Sequence, residues 1–308
     1  MDFYLMTEPQ LGGSYQDLAW AAHAAEDAGL SGFARSDHYY WTGGDARPTT
    51  DAFTSLGGLA KETSRIRLSV LVSPITFRHP AVIAKSAATM DEMSNGRFDL
   101  GVGTGWMESE HEAYGLPFPS MKERFARLEE ALAYLRAAFA GRPFEGTFYR
   151  LTADSLPRPA GLRIIVGGSG PERTPALAGR HADEYNQFAI HPSLLAPKIE
   201  RMRAAASQAG RSPDQILVSL MGPAVIAKGD VQFQALMAQA ANFRHISVEE
   251  LTDRWAKNGV PMGSPGRALE ALAAMSEAGV DRYYLQWLDL TDRRGIEAVV
   301  SAVARLQP

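Results

Sequence analysis

One histidine of this sequence lies where it could exchange a proton with a bound molecule. His38 follows the apolar segment 32–37, and it is the only one of the seven histidines at the end of a predicted strand. An imidazole there can give or take a proton near neutral pH, and the neighbouring Asp37 can accept a hydrogen bond from a ligand N–H. We expect His38 to be a general acid or base; the alternative is a structural or surface histidine.

The segment Gly167-Gly168-Ser169-Gly170 has the composition of a phosphate-binding loop. It follows the apolar segment 163–167 and precedes Pro171 at a predicted helix start. Small residues let the backbone approach a phosphate, and a helix N-terminus offers free N–H groups and partial positive charge. Arg173 would add a counter-ion in the first turn. The alternative is a tight turn that needs glycine for a positive φ.

A second glycine-rich segment, Gly101-Val102-Gly103-Thr104-Gly105, ends another predicted strand. It does not match the dinucleotide-binding fingerprint, because the third glycine would fall at Trp106 and no first Rossmann strand precedes it. The glycines either make room for a flat ring against the strand end or fit a crowded layer of the barrel.

Aromatic residues cluster near the predicted strand ends, and this favours an apolar pocket for a ring-bearing ligand. They are Tyr39, Tyr40, Trp41, Trp106 and Trp287. A metal centre is not expected, since the chain has no cysteine and its first predicted strand has no His-x-His pair. A serine nucleophile is not expected either, because the Gly-x-Ser-x-Gly elbow is missing.

These residues must be positioned by alternating strands and helices. The predicted strands are 2–6, 32–37, 67–73, 98–103, 163–167, 184–188, 216–221 and 283–287. Several are apolar on both faces, which is typical of a parallel sheet covered by helices. Ser14, Ser120 and Ser264 are predicted helix N-caps, the first two in capping boxes with Asp17 and Glu123. We predict one (β/α)8 TIM barrel over residues 1–308, with its active site at the carboxyl ends of the strands.

Two connections are longer than a plain strand–helix unit, and we interpret them as insertions after strands 4 and 7. The alternative is a two-domain chain divided near residue 150. Substrate specificity is expected in the segments 141–162 and 223–263 of these insertions.

Composition excludes several other classes of protein. The chain has 308 residues, 45% of them hydrophobic, with 31 basic and 35 acidic residues and a net charge of −4. A nucleic-acid partner usually demands a basic surface, so none is expected. The first residues lack a signal peptide, and no apolar run approaches the ~20 residues that span a membrane. We expect a cytoplasmic protein with a small-molecule substrate.

Taken together, the motifs resemble the luciferase-like flavin and deazaflavin oxidoreductases nearly end to end. The matching stretches are residues 36–38, 77–85, 95–98, 101–105, 123–125, 167–170 and 180–183. The pair Asp37-His38 is similar to the branch that uses the deazaflavin coenzyme F420. The resemblance implies a (β/α)8 barrel that is often homodimeric, and an F420-dependent oxidoreductase. An FMN-dependent monooxygenase and a non-catalytic flavin-binding barrel are the alternatives.

The resemblance also implies roles for individual residues. Asp37 would contact the deazaflavin head, and His38 would be the acid or base beside the reactive carbon. Thr104 and Gly105 would line the ring or its ribityl chain, and the loop Gly167, Gly168, Ser169 and Gly170 would hold the phosphate. The third strand would carry a non-prolyl cis bond at Val70–Leu71, with Ser73 close to the ring. Arg173, Lys61 and Arg78 could attract the acidic tail of F420.

One position departs from a part of this family. The sugar-phosphate dehydrogenases carry a catalytic Glu directly after Gly-Thr-Gly, where this chain has Trp106. Oxidation of a sugar hemiacetal is therefore not expected. Tyr39, Trp41, Trp106 and Trp287 are instead expected to form the substrate pocket. Glu108 and Glu110 lie nearby, and we assign them no catalytic role.

Overall fold

Eight parallel strands close into a barrel in a computed structural model, which describes residues 1–41, 47–153 and 155–305. The described residues contain twelve strands, eight in the barrel and four in two separate two-stranded sheets: β1 (Asp2–Thr7), β2 (Gly32–Arg35), β3 (Arg67–Pro74), β4 (Phe98–Gly103), β5 (Phe144–Glu145), β6 (Arg150–Leu151), β7 (Arg163–Gly167), β8 (Glu184–Phe188), β9 (Leu217–Gly222), β10 (Val225–Ile226), β11 (Met262–Gly263) and β12 (Arg282–Trp287). The hydrogen-bonded order around the barrel is β1-β12-β9-β8-β7-β4-β3-β2. The predicted (β/α)8 barrel is confirmed.

Helices surround this barrel. They are α1 (Tyr15–Asp27), α2 (Ala52–Glu62), α3 (Pro80–Met93), α4 (Glu108–Tyr114), α5 (Met121–Phe139), α6 (Arg173–His181), α7 (Pro192–Gln208), α8 (Asp230–Phe243), α9 (Val248–Lys257), α10 (Pro265–Glu277) and α11 (Arg293–Ala304). Short 3₁₀ helices cover Pro9–Leu11 and Pro213–Gln215. None of the helices within the described residues is both long and apolar enough to span a bilayer.

The strand boundaries follow the sequence pattern closely, with one difference that affects the site. β2 ends at Arg35, two residues before the predicted end. The N–H of Ser36 makes the last bond to β1, donating to the carbonyl oxygen of Thr7 at 3.1 Å. Asp37 and His38 therefore lie in the loop that follows β2, at the carboxyl end of the barrel.

The predicted caps begin their helices as expected. The side chain of Ser14 accepts a hydrogen bond from the N–H of Asp17, and the Asp17 carboxylate accepts one from the Ser14 N–H. Ser120 accepts from the N–H of Glu123, but the Glu123 carboxylate pairs with Arg127 instead of closing a capping box. α6 begins at Arg173, so Pro171 lies before the helix and not at its start.

Apolar side chains form two layers because successive strand residues point to opposite faces. The barrel interior holds Tyr4, Met6, Ala34, Leu71, Ile165, Met221 and Tyr284. A larger layer, which includes Val70, Leu100 and Leu285, fills the space between strands and helices. At the amino end of the interior, Arg282 pairs with Glu184, and both side chains are at most 1% exposed.

The two long connections contain additional elements. Between β4 and β7 lie α4, α5 and the antiparallel pair β5–β6. Between β9 and β12 lie α8, α9, α10 and the parallel pair β10–β11. Residue 154 lies outside the described residues.

Candidate active site

His38 lies in the loop after β2 and contacts a buried carboxylate of α4. Its Nδ1 is 2.9 Å from Oε2 of Glu110, whose side chain is 1% exposed. Oε1 of Glu110 accepts hydrogen bonds from the backbone N–H groups of Tyr39 and Tyr40. The His38 side chain is 16% exposed, so its ring reaches solvent while Nδ1 is held. Sequence reasoning gave Glu110 no role, and the structure joins it to the predicted catalytic residue.

Two opposing effects set the pKa of His38. Burial lowers it, because an imidazolium loses hydration, whereas the hydrogen bond and charge of Glu110 raise it, with help from Glu8 and Asp37. The carboxylates outweigh burial, and the pKa of His38 is raised above its ordinary 6.5. The environment therefore favours the protonated ring more than water does.

Asp37 is 1% exposed and bound within the protein. Its Oδ2 accepts a hydrogen bond from Ser73 Oγ at 2.7 Å, and its carboxylate pairs with Arg78. Arg78 also pairs with Asp51 at the start of α2. These contacts tie the end of β2 to the end of β3, and they neutralise Arg78. A contact between Asp37 and the cofactor head stays a prediction.

The third strand is irregular, but not where the sequence predicted. The non-prolyl cis bond is at Leu71–Val72, one residue after the expected Val70–Leu71. The register with β4 shifts between Val70 and Ser73, and Leu71 and Val72 both pack in the barrel interior. The side chain of Val70 faces the helices. The side chain of Val70 therefore lies outside the barrel interior, and the cofactor contacts expected for Val70, Leu71 and Ser73 stay predictions.

The glycines of β4 and β7 make room for Val72. A Cβ on Gly101 or Gly103 would lie 2.8 Å from a methyl carbon of Val72, and one on Gly167 would lie 2.7 Å away. These separations are too short for any side chain. Of the two interpretations of the Gly101–Gly103 segment, the crowded barrel layer is the one that the packing supports.

Gly105 begins the turn that leads to α4. Its φ of +75° is in the left-handed region, and a Cβ would lie 2.8 Å from Oγ1 of Thr76. That hydroxyl lies 2.7 Å from Nε2 of His111, whose Nδ1 lies 2.7 Å from the carbonyl oxygen of Met107. Thr104 is half-buried at the same strand end. The turn and the His111 contacts fix the start of α4, and hence Glu110.

The glycine-rich loop after β7 lies on the first turn of α6. Gly168 has a φ of +151°, and a Cβ on Gly170 would lie 3.1 Å from Oγ1 of Thr174. Glu172, the N-cap of α6, makes no side-chain capping bond. No side-chain cap occupies the N–H groups of this turn, and phosphate binding by the loop stays a prediction. The guanidinium of Arg173 lies over the Phe125 ring at 5.4 Å.

A lysine that sequence reasoning missed supports this loop. Nζ of Lys198, on α7, donates to the carbonyl oxygen of Ser169 at 2.9 Å and to Oε1 of Gln187 at 2.7 Å. The residue is far from the loop in sequence, and no spacing pattern connects the two. By contrast, Lys61 lies in the last turn of α2, at the opposite end of the barrel from the loop.

The aromatic residues predicted to line a substrate pocket differ in their exposure and contacts, and their role stays a prediction. Trp106 is 63% exposed and meets the His38 ring edge to face, with centroids 5.7 Å apart. Trp41 is 36% exposed. Tyr39 stacks on Phe77 with centroids 4.5 Å apart, which makes it a wall rather than an open surface. Phe188, the last residue of β8, is 53% exposed at the same end and was not predicted.

Trp287 lies on the other side of its strand. It packs against the layer between strands and helices, close to Gly295 of α11, and Nε1 donates to the carbonyl oxygen of Asp289 at 2.9 Å. Its neighbours Tyr284 and Gln286 point inward. This orientation separates Trp287 from the mouth where Trp106 lies.

A buried polar network after β1 was also missed. The Glu8 carboxylate is 7% exposed and accepts hydrogen bonds from the side-chain amides of Gln10 at 2.8 Å and Gln286 at 2.7 Å. Oε1 of Gln10 accepts from Ser36 Oγ. Glu8 follows a barrel strand directly, so the rule that places active sites at the strand ends could have identified it. Among the described residues, no group of three or more His, Asp or Glu is arranged to hold a metal ion.

The chain is similar to known proteins over most of its length. The luciferase-like monooxygenase family profile matches residues 2–282. An F420-dependent glucose-6-phosphate dehydrogenase of Nakamurella multipartita is 37% identical over 221 residues, which cover 69% of this chain and 64% of that protein. The match thus spans less than two thirds of that relative. A protein with the same description from Nocardia farcinica is 30% identical, with 86% of each chain covered.

A solved structure shares the fold across the whole chain. The monooxygenase RslO1 of Streptomyces bottropensis superposes with a TM-score of 0.81 at 22% identity, covering 100% of this chain and 98% of that one. At this identity the similarity concerns the fold alone. The profile match extends over most of the sequence, and the chain belongs to the luciferase-like monooxygenase family.

Proposed function

We propose that this protein is an F420-dependent oxidoreductase that transfers a hydride between the deazaflavin and a small apolar substrate. The observation that carries the proposal is the position of His38. This histidine is held by a buried carboxylate at the barrel mouth, on the same end as a glycine-rich loop on a helix N-terminus. Two relatives, 37% and 30% identical to this chain, are described as F420-dependent.

The residues of the mouth fit a tricyclic ring with a phosphate-bearing chain. Leu71 and Val72 form an apolar floor in the barrel interior. The uncapped first turn of α6 and the small residues Gly168 and Gly170 would hold the phosphate, with Lys198 behind the loop. When bound, the deazaflavin supplies a two-electron hydride carrier.

The protein's own contribution is to position the substrate, exclude water and deliver a proton. Nδ1 of His38 faces Glu110, and within the described part of the chain Nε2 makes no hydrogen bond. In the protonated ring, Nε2 carries the proton that can pass to a substrate oxygen as hydride arrives. General acid catalysis of this kind contributes about 10²–10⁴ in rate.

The surface of the mouth favours an apolar substrate with a ring. Large apolar side chains are exposed at the end of β8, on the loops after β2 and β4, and on helices α4, α5 and α7. They are Trp41, Trp106, Tyr114, Met121, Phe188 and Leu194, each at least 36% exposed. Trp106 occupies the position after Gly-Thr-Gly, and its indole offers no acid or base to a sugar hemiacetal. We therefore propose a ketone or activated alkene, not a sugar phosphate.

A turnover assay tests this proposal. Chemically reduced F420 is incubated anaerobically with the protein and a panel of cyclic ketones and enones, and its reoxidation is followed by absorbance. We expect turnover with at least one member of the panel, and loss of that turnover in His38→Ala. Oxidised F420 with glucose 6-phosphate should give none. Turnover only with reduced FMN and oxygen would contradict the proposal and support a monooxygenase.

A further inference from the structure

The contact between α4 and the loop after β2 assigns a role to a residue that does not face the mouth. We propose that Glu110 is a positioning residue that fixes the tautomer of His38 and keeps its ring protonated through the carboxylate–Nδ1 contact. This inference rests on the proposed role of His38 as a proton donor. It goes beyond that role because it names the group that makes His38 competent.

The geometry is that of a carboxylate that orients an imidazole. Oε2 of Glu110 lies 2.9 Å from Nδ1 of His38, within range of a charge-assisted hydrogen bond. An ionised carboxylate only accepts, so Nδ1 must carry a hydrogen and donate it. The proton that titrates is then the one on Nε2, the nitrogen available to a substrate. Without this contact, either nitrogen could carry the hydrogen of the neutral ring.

The other oxygen of Glu110 holds the loop itself. Oε1 accepts from the backbone N–H groups of Tyr39 and Tyr40, directly after His38. One buried carboxylate thus fixes both the ring and the backbone that carries it. A purely structural role would involve Oε1 alone, and this difference allows the two roles to be separated.

Three carboxylates face His38 from the surrounding elements: Glu110 from α4, Glu8 after β1, and Asp37 on its own loop. Asp37 is paired with Arg78, and Glu8 accepts hydrogen bonds from two glutamine amides. Glu110 is the one in direct contact with the ring. It therefore has the largest electrostatic influence of the three.

The replacement Glu110→Gln separates orientation from loop support. The amide oxygen of glutamine can still accept from Tyr39 and Tyr40, so the loop stays tied. The amide nitrogen can only donate, so it would face Nδ1 with a hydrogen and place the neutral ring's own hydrogen on Nε2. The negative charge is also lost. Glu108→Gln is the matched control, because Glu108 is an exposed residue of the same helical turn.

The experiment is a ¹⁵N NMR titration of the histidine rings in the full chain without cofactor or substrate, with His38→Gln used to assign the signals. In the wild type, and in Glu108→Gln, we expect a His38 pKa above 6.5 and a neutral ring with hydrogen on Nδ1. In Glu110→Gln we expect the pKa to fall by about one unit or more, and the hydrogen of the neutral ring to move to Nε2.

Two results would overturn the inference. The first is a wild-type titration in which the neutral His38 ring carries its hydrogen on Nε2, or in which the pKa of His38 is at or below 6.5. This result does not depend on whether a variant folds. The other is a Glu110→Gln titration that coincides with Glu108→Gln while circular dichroism shows both to be folded. F420 binding is measured separately by fluorescence, and a failure there with an unchanged titration would count against the proposed function and not against Glu110.

Discussion

The indole of Trp106 meets the imidazole of His38 edge to face, with centroids 5.7 Å apart and an angle of 80° between the planes. The side chain of Trp106, which is apolar and 63% exposed, therefore lies beside the proposed proton donor. A substrate bound at His38 would lie beside this ring, so the contact links the proposed site of proton transfer to the choice of substrate.

Removing the indole is expected to weaken substrate binding more than cofactor binding. Trp106→Ala should raise the KM for an apolar ring-bearing substrate about tenfold, since a buried aromatic contact contributes of the order of 1–2 kcal/mol. The Kd for F420 should change by less than about twofold. Steady-state kinetics and a fluorescence titration measure the two effects. An unchanged KM would show that the substrate does not use this surface.

His38→Ala should lower kcat by about 10²–10⁴ and leave cofactor affinity within a few-fold. The pH profile gives a second test. Because the pKa of His38 is raised above 6.5 and the protonated ring is the active form, kcat/KM for substrate reduction should be level at low pH. It should then fall about tenfold per pH unit above that pKa. A wild-type profile that rises with pH would mean that the ring acts as a base in this direction.

Lys198 is expected to matter only for a cofactor that bears a phosphate. Lys198→Met removes the Nζ contact to the carbonyl oxygen of Ser169 and a positive charge beside the loop. We expect the Kd for F420 to rise about tenfold, as for the loss of one charge-assisted bond. The Kd for the deazaflavin that lacks the phosphate should not change. Lys61→Met, which changes an exposed lysine at the opposite end of the barrel from the loop, is the control. An equal rise in Kd for both ligands in Lys198→Met would show that the phosphate does not bind at this loop.

The amino end of the barrel should carry much of the stability. Arg282→Met would leave the carboxylate of Glu184 buried without its partner, which costs about 3–5 kcal/mol of unfolding free energy. Arg293→Met breaks an exposed pair with Asp17 and should cost less than about 1 kcal/mol. Urea unfolding of the two variants measures the difference. Similar urea midpoints for the two variants would show that the buried pair of Arg282 and Glu184 contributes little to the free energy of unfolding.

The sequence predicted the barrel well because its strands are short, apolar and separated by capped helices. Segments such as 98–103, 163–167 and 184–188 match the strands residue for residue. The position of His38 and the glycine-rich loop followed from one topological rule, that strand ends meet at a common mouth.

The remaining site residues depend on contacts that a linear pattern does not encode. Glu110 reaches His38 only because barrel closure brings α4 beside the loop after β2. The irregularity in β3 turns both Leu71 and Val72 inward, so regular alternation along the strand fails at Val72, whereas Val70 faces the helices as alternation with Leu71 predicts. The outward orientation of the Trp287 side chain could have been predicted, because Trp287 alternates along β12 with the inward residues Tyr284 and Gln286.

The measurement that tests the central claim most directly is a fluorescence titration of the protein with F420 and with FMN at two ionic strengths. The shared ring, ribityl chain and phosphate would use the same loop, and the acidic tail of F420 would add contacts near Arg173 and Lys122. We predict that F420 binds at least about tenfold more tightly than FMN at low salt, and that the gap narrows as salt rises. Equal affinities, or tighter binding of FMN, would contradict the account.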